Sequence, residues 1–398
     1  MLELISSSVV ENLSNGEPEF LVKKRLEAFA KFQQMQIPTA REEEWRHIGI
    51  NEKQFVGIIV EPRKLNFPKP EILKDGVIFT DIISAAKEFP DIVQKYFGTV
   101  VPVENKFQAL HYSVLNSGTF LYIPHDVEVE VPLRSSFFID EVTGNFMHTL
   151  IVVEPGASVT YIEDLSSPTT ANIVYTDATE ILVKESAKLK LISLQNWGLG
   201  VQNFASRRAV LDKNASLDWY FSAVGCKYAK LNYDVVLQGE GAVSKNFGVF
   251  FGMQKQNIGV FTNAFHKVSN TTYDIKIKGV LKDYASSVCR GLIKIEKDAV
   301  KSSGSMSAHT LLLSETAKAN VIPSLVIDNN DVQASHAASV GQIDEERLFY
   351  LMSRGLDRKS AEKLVVEGFF DPIVRNIPQD DIKERLVKII QERMSSGS

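Results

Sequence analysis

The run TLIVVEPGASVTYIEDL, residues 149–165, holds a tight turn between two stretches in which apolar and polar residues largely alternate. EILVKESAKLKLISLQNW, residues 180–197, repeats the arrangement. The first turn is EPGAS, with Ala157 as its small residue, and the second is KESAK, with Ala187. DKNAS, GEGAV, SNTTY and EKDAV continue the series with Ala215, Ala242, Thr271 and Ala299. The intervals between these six residues are 30, 28, 27, 29 and 28. A fixed period in this range signals stacked units, none of which can bury its apolar face alone. Because each unit holds strands, the period predicts a right-handed parallel β-helix whose turns align in columns. A β-sandwich of regular hairpins is the competing arrangement.

The texture changes on both sides of the repeat. Residues 1–104 read as a helix-rich region, in which Phe20, Leu21, Leu26, Phe29 and Phe32 fall near helical spacing before Pro38. Residues 105–342 read as the β-helix core. From 343 to 398 helical signals return: Asp344 can cap EERLFYLMSRG, Gly355 can end it, and two more helices fit DRKSAEKLVVEG and QDDIKERLVKIIQERM. A solenoid's open edges recruit other strands unless covered. The flanking helices can cover them, and a side edge can pair with a second solenoid.

Composition removes several functions. With 44 Lys and Arg against 49 Asp and Glu, the net charge of −5 offers no basic field for nucleic acid. No run reaches the roughly 18 apolar residues of a membrane span, and the N-terminus lacks the basic start and apolar core of a signal peptide. The two cysteines, Cys226 and Cys289, stand 63 positions apart, which fits a reduced, cytoplasmic chain. There is no GxxxxGK[ST] phosphate loop, no GxGxxG in a strand-to-helix setting, and no CxxC, HExxH or GxSxG. None of the seven histidines lies within four positions of another, so no local metal motif exists. A carbohydrate-active β-solenoid enzyme would need stacked acids, for which Asp164, Asp177, Asp218 and Asp234 are the candidates.

Five strings then resemble one family. LISLQNWG, NFASRRAVL, IKGVLKDYASSVCRGLIKI, ASHAASVGQIDEERLFYLMSRGL and, near the N-terminus, AREEEWRHI are similar to the SufB/SufD iron–sulfur cluster assembly proteins. The resemblance covers essentially the whole chain. It implies a β-helix flanked by helical domains, in complex with a B-type scaffold subunit (SufB-like) and an ABC ATPase (SufC-like). B-type members carry a cysteine six residues before the proline of the next strand; counting back from Pro323 gives Ala317 here. They also flank the histidine with glutamates, where this chain has Ser335, His336 and Ala337. Both departures make the chain resemble the D-type subunit. A further departure is Ala334, where D-type relatives often have Cys. The implied function is a non-catalytic scaffold, with no cofactor held stably by the lone chain and a transient cluster in the complex. A B-like scaffold working as a homodimer is the alternative, and the chain in isolation could pair with itself.

The site residues follow from this. His336, among small neighbours, is either a half-buried structural histidine or an iron ligand pooled with a partner's; neutral imidazole is a competent ligand. His309 is a weaker metal candidate. Gln195 and Trp197 match an element lining the β-helix interior in B-type members. Cys289 reads as packing more than ligation. Leu348, Phe349, Leu351, Phe369 and Phe370, on apolar helical stripes, are candidates for ATPase contact.

Overall fold

A computed structural model describes residues 5–46, 48, 73–139, 144–168 and 173–395. The N-terminal part holds α1 (Ser7–Ser14), α2 (Glu19–Gln34), β1 (Ile78–Asp81), α3 (Ile82–Glu88), α4 (Pro90–Tyr96) and α5 (Lys106–Val114). The strands continue as β2 (Thr119–Ile123), β3 (Leu133–Phe138), β4 (Asn145–Val153), β5 (Ser158–Ser166), β6 (Val174–Val183), β7 (Lys188–Asn196), β8 (Gln202–Leu211) and β9 (Ser216–Val224). Then come β10 (Tyr228–Leu237), β11 (Val243–Gly252), β12 (Asn257–His266), β13 (Thr272–Leu281), β14 (Ser286–Ile295), β15 (Ser303–Leu312), β16 (Lys318–Ile327) and β17 (Gln333–Gln342). Three helices close the chain: α6 (Glu345–Ser353), α7 (Arg358–Val374) and α8 (Asp380–Ser395).

From β2 onward successive strands go to opposite sheets. One sheet runs β1-β2-β4-β6-β8-β10-β12-β14-β16, the other β17-β15-β13-β11-β9-β7-β5-β3. From β2 onward every pairing is parallel, each strand lying beside the strand two further along the chain, which is the pairing of a parallel β-helix and not of a hairpin sandwich. The lumen between the sheets is filled by alternate residues of every strand, and one apolar cluster runs its length, from Leu121 and Ile151 through Leu191, Trp219 and Tyr233 to Ile277 and Met306.

The turn column is as the period predicts, with one correction. Ser158, Lys188, Ser216, Val243, Thr272 and Ser303 are in register across the eight-stranded sheet. The buried residues just before them are Ala157, Ala187, Ala215, Ala242, Thr271 and Ser302. Ala299 belongs to the same connection but sits three residues early, because the turn after β14 is longer and reaches its left-handed residue only at Lys301 (φ 57°). Preceding residues in the other turns take the same conformation: Gly156, Ser186, Asn214, Gly241 and Asn270 lie at φ 71°, 58°, 55°, 75° and 58°. That left-handed residue turns the chain sharply, and the small residue after it lets consecutive coils stack.

Helices cover both outer faces. α3, α4 and α5 pack on the first strands of the nine-stranded sheet. There Glu180, fully buried, accepts bonds from the backbone N–H groups of Gly98, Val100 and Val101 (2.6, 2.7 and 2.8 Å) and lies 3.1 Å from His148 Nε2. Burial raises its carboxyl, but His148 and these donors outweigh that and hold it below the usual range. Further along the same sheet, Trp45 of the EEEWR segment stacks on Phe107 (5.1 Å), and Glu43 pairs with Arg290 at 2.8 Å; His47 lies outside the described residues. α7 and α8 cover the eight-stranded sheet over Ile192, Tyr220, Phe247 and Phe251.

Candidate functional site

The two sheets end differently from how they begin. β14 and β15 alternate buried and half-buried residues, whereas β16 and β17, the last strand of each sheet, are exposed along most of their length. Ile322, Leu325, Val326, Ile327 and Val340 are all exposed there. No strand among the described residues covers the free edge of either. This open end is where His336 sits, on β17.

The parity of a parallel pair fixes where the imidazole points. His336 is in register with Met306, whose side chain belongs to the lumen core. Side chains in register on neighbouring strands share a face. His336 therefore faces the core side of β17, at the mouth of the lumen. Its Nε2 is buried and has no hydrogen-bond partner among the described residues. Burial lowers its pKa below the ordinary histidine value, so the ring is neutral at pH 7. Ala334, Ser335, Ala337 and Ala338 put no bulk around it.

His309 is placed quite otherwise. It lies one strand inward, on β15, facing outward. Its Nε2 is 2.9 Å from Ser307 Oγ and its Nδ1 2.6 Å from Ser339 Oγ, so both nitrogens are engaged and the ring clasps β17 to β15. Among the described residues no group of three or more His, Cys, Asp or Glu is arranged to hold a metal ion. A site at this end therefore needs donors from elsewhere to complete it.

The remaining candidates scatter. Gln195 and Trp197 are buried in the lumen, where Trp197 Nε1 donates to Gln195 Oε1 (3.3 Å) and Asn203 Nδ2 donates to the same oxygen (3.0 Å). Cys289 is a core residue of β14 whose thiol burial pushes up to about 12, and Cys226 is raised by the same cause. Ala317 is buried in the turn before β16. The four aspartates are not brought together: Asp177 is in the lumen, Asp164 and Asp218 belong to the eight-stranded sheet, and Asp234 to the nine-stranded one. Of the C-terminal candidates, Leu348 packs inside against Ile343 and Ala361, and Phe370 packs inside against the sheet. Neither is free for a partner while the helices stay docked. Leu351 and Phe369 are partly covered, and Lys278 Nζ lies 4.6 Å from the Phe369 ring. Phe349 is 72% exposed and is joined by Leu364 of the same apolar stripes and by Tyr350 at 57%, Met352 and Leu356, three residues the sequence reading passed over.

A buried ionic cluster was also missed. Inside the lumen Arg207 Nη1 is 2.9 Å from Glu163 Oε2 and donates to Ser193 Oγ (2.8 Å), while Nη2 donates to Asp177. Thr179 Oγ1 donates to Asp177 Oδ1 at 2.7 Å. The signal was present in the alternation itself. Glu163 shares the inward face of β5 with Tyr161 and Leu165, so strand parity alone places a carboxylate in the core.

Comparison with known proteins agrees with this geometry. The family model for the SUF system FeS cluster assembly SufBD core domain matches residues 137–369, and that for the SufBD protein N-terminal region matches 58–134. The iron–sulfur cluster assembly protein SufD of Bacillus subtilis is 36% identical over 81% of this chain and 75% of its own length. A SufBD family protein of Staphylococcus saprophyticus is 28% identical over 98% of the chain and 93% of its own length. One from Staphylococcus aureus is 32% identical over 81% of the chain and 70% of its own length. With a core-domain match spanning most of the solenoid, the chain belongs to the SufBD family of iron–sulfur cluster assembly proteins.

Proposed function

We propose that the chain is a non-catalytic, D-type scaffold subunit of a cytoplasmic iron–sulfur cluster assembly complex. Its open end joins a B-type solenoid edge to edge through β16 and β17, and the nascent cluster forms where the two meet. The observation that carries this reading is the buried, unpartnered Nε2 of a neutral histidine at an otherwise small-residue strand end. An unsatisfied buried nitrogen is costly, and a metal or a donor from a partner would satisfy it. The chain supplies one nitrogen and a close-approach surface; iron and sulfide are cargo, and the other donors come from the partner. No cluster is held stably by the lone chain.

The exposed apolar face of α6 and α7 is the contact for an ABC-type ATPase, which the chain lacks the phosphate loop to replace. Nucleotide-driven movement of the ATPase would shift the two solenoids against each other and open the interface to iron and sulfide. Co-expression tests the whole reading. The chain should co-purify with a B-type subunit and an ATPase, and a chain that stays alone, or that holds a stoichiometric cluster alone after anaerobic reconstitution, refutes it.

A further inference from the structure

α7 and α8 do not close fully on each other. Between them lies a cavity of about 150 Å³ lined by Glu367, Phe370, Asp371, Val374, Val387 and Ile390. Four of the six are apolar and form the floor; the other two are carboxylates. Asp371 is exposed, so the cavity reaches the surface. A space near 150 Å³ lined by apolar side chains takes a group about the size of benzene, which is also the scale of a long side chain's stem.

The charges complete the description. Glu367 and Asp371 are four residues apart on α7, hence neighbours on one face. Neither makes an ion pair within 4 Å among the described residues. Glu367 accepts a bond from Gln391 Nε2 (2.6 Å), and Lys278, a cation that feels the charge of Asp371, donates instead to the Phe369 carbonyl (2.7 Å). Two like charges at this spacing repel, and only a cation between them turns the arrangement favourable. An apolar floor beneath two unpaired carboxylates matches a side chain with a methylene stem and a flat, multi-donor cationic head.

We propose that the α7–α8 cavity is a socket for an arginine side chain of a partner protein, the floor taking its stem and Glu367 and Asp371 its guanidinium. The inference deepens the reading of the C-terminal helices as a partner surface, and rests on that reading only for the partner's identity.

The test uses the full chain and a probe that needs no partner. n-Butylguanidinium is titrated in against methyl-labelled protein and followed by NMR, with n-butanol as the uncharged control. Butylguanidinium should shift the Val374, Val387 and Ile390 methyls saturably, and butanol should not. Glu367→Gln/Asp371→Asn should weaken the probe about five- to tenfold, as two partly exposed ion pairs are lost. Val387→Trp should fill the floor and abolish binding. Equal binding of butanol, or no saturable shift at these methyls, overturns the socket. The ATPase reading fails separately: if the probe binds while the Phe349→Ala/Tyr350→Ala chain keeps its ATPase, the socket stands and the partner assignment falls.

Discussion

Arg207→Met asks what the lumen cluster is worth. Methionine keeps much of the arginine's length and packs in a core, so the change removes charge with little loss of volume. It leaves Glu163 and Asp177 facing each other in the lumen, both almost wholly buried, with no cation. Breaking a buried pair by deleting one partner costs about 3–5 kcal/mol. At about 2–4 °C per kcal/mol for a domain of this size class, the midpoint should fall by roughly 6–20 °C. The loss should also depend on pH. In the wild type, burial pushes the Asp177 carboxyl up to about 6, although Arg207 pulls it down. Its unfolded value is about 3.9, so the folded state binds the extra proton between roughly pH 4 and 6. The stability contributed by this group is thus complete below about pH 4 and lost as pH rises through 6. Without the guanidinium that pulls it down, the Asp177 carboxyl rises further. The gap between wild type and variant should therefore be small at pH 5 and wide at pH 8. Urea unfolding followed by circular dichroism at the two pH values reads this directly. Asp177→Asn/Arg207→Met, which removes one stranded charge, should recover part of the loss at pH 8. A loss below about 1 kcal/mol at pH 8, or one equal at both pH values, would refute the account of the cluster as a buried ionic unit.

Further expectations concern the open end and the surface. His336→Ala removes a nitrogen but little core volume; folding and assembly should survive while cluster yield in the complex falls, and His309→Ala, which loses only a strand clasp, should lower it less. Equal yields from wild type and His336→Ala would make the imidazole structural. Phe349→Ala/Tyr350→Ala should abolish ATPase capture in a pull-down with no change in the unfolding midpoint. This is a cleaner probe than deleting residues 344–398, because that deletion strips the helices covering Ile192, Tyr220, Phe247 and Phe251. Lys301→Gly relieves a left-handed lysine and should raise stability by about 0.5 kcal/mol in the same urea assay, the relief outweighing the added freedom of the unfolded chain.

The solenoid was legible because its period is written in small residues. Ala157, Ala187, Ala215 and Ala242 fill a position that admits nothing large, so the constraint shows in the sequence. It failed at Ala299 because small size alone does not fix register: Ser302 is as small, and only the left-handed residue before it decides which one stacks. The histidine end was legible through its neighbours, but its orientation was not. That depends on pairing with Met306, 30 positions earlier, which no local pattern encodes. The apolar stripes of the last helices identified an amphipathic region without telling which residues the sheet would claim. Phe370 went to the sheet and Phe349 did not: on α6 it is Leu348 that is buried, in a cluster with Leu311 of β15, which leaves the next residue on the outer face.

The nine-stranded sheet has two unlike margins. At one, β1 runs antiparallel to β2, is four residues long, and passes at once into α3. At the other, β16 is a full ten-residue parallel strand with its edge free. A sheet with two equivalent free margins can add copies of itself without limit, as fibres do. One with a single usable margin can be extended only once. A strand of four residues gives an incoming chain far less to pair with than the ten of β16, so the two margins are unequal and this sheet lengthens more readily at its β16 end.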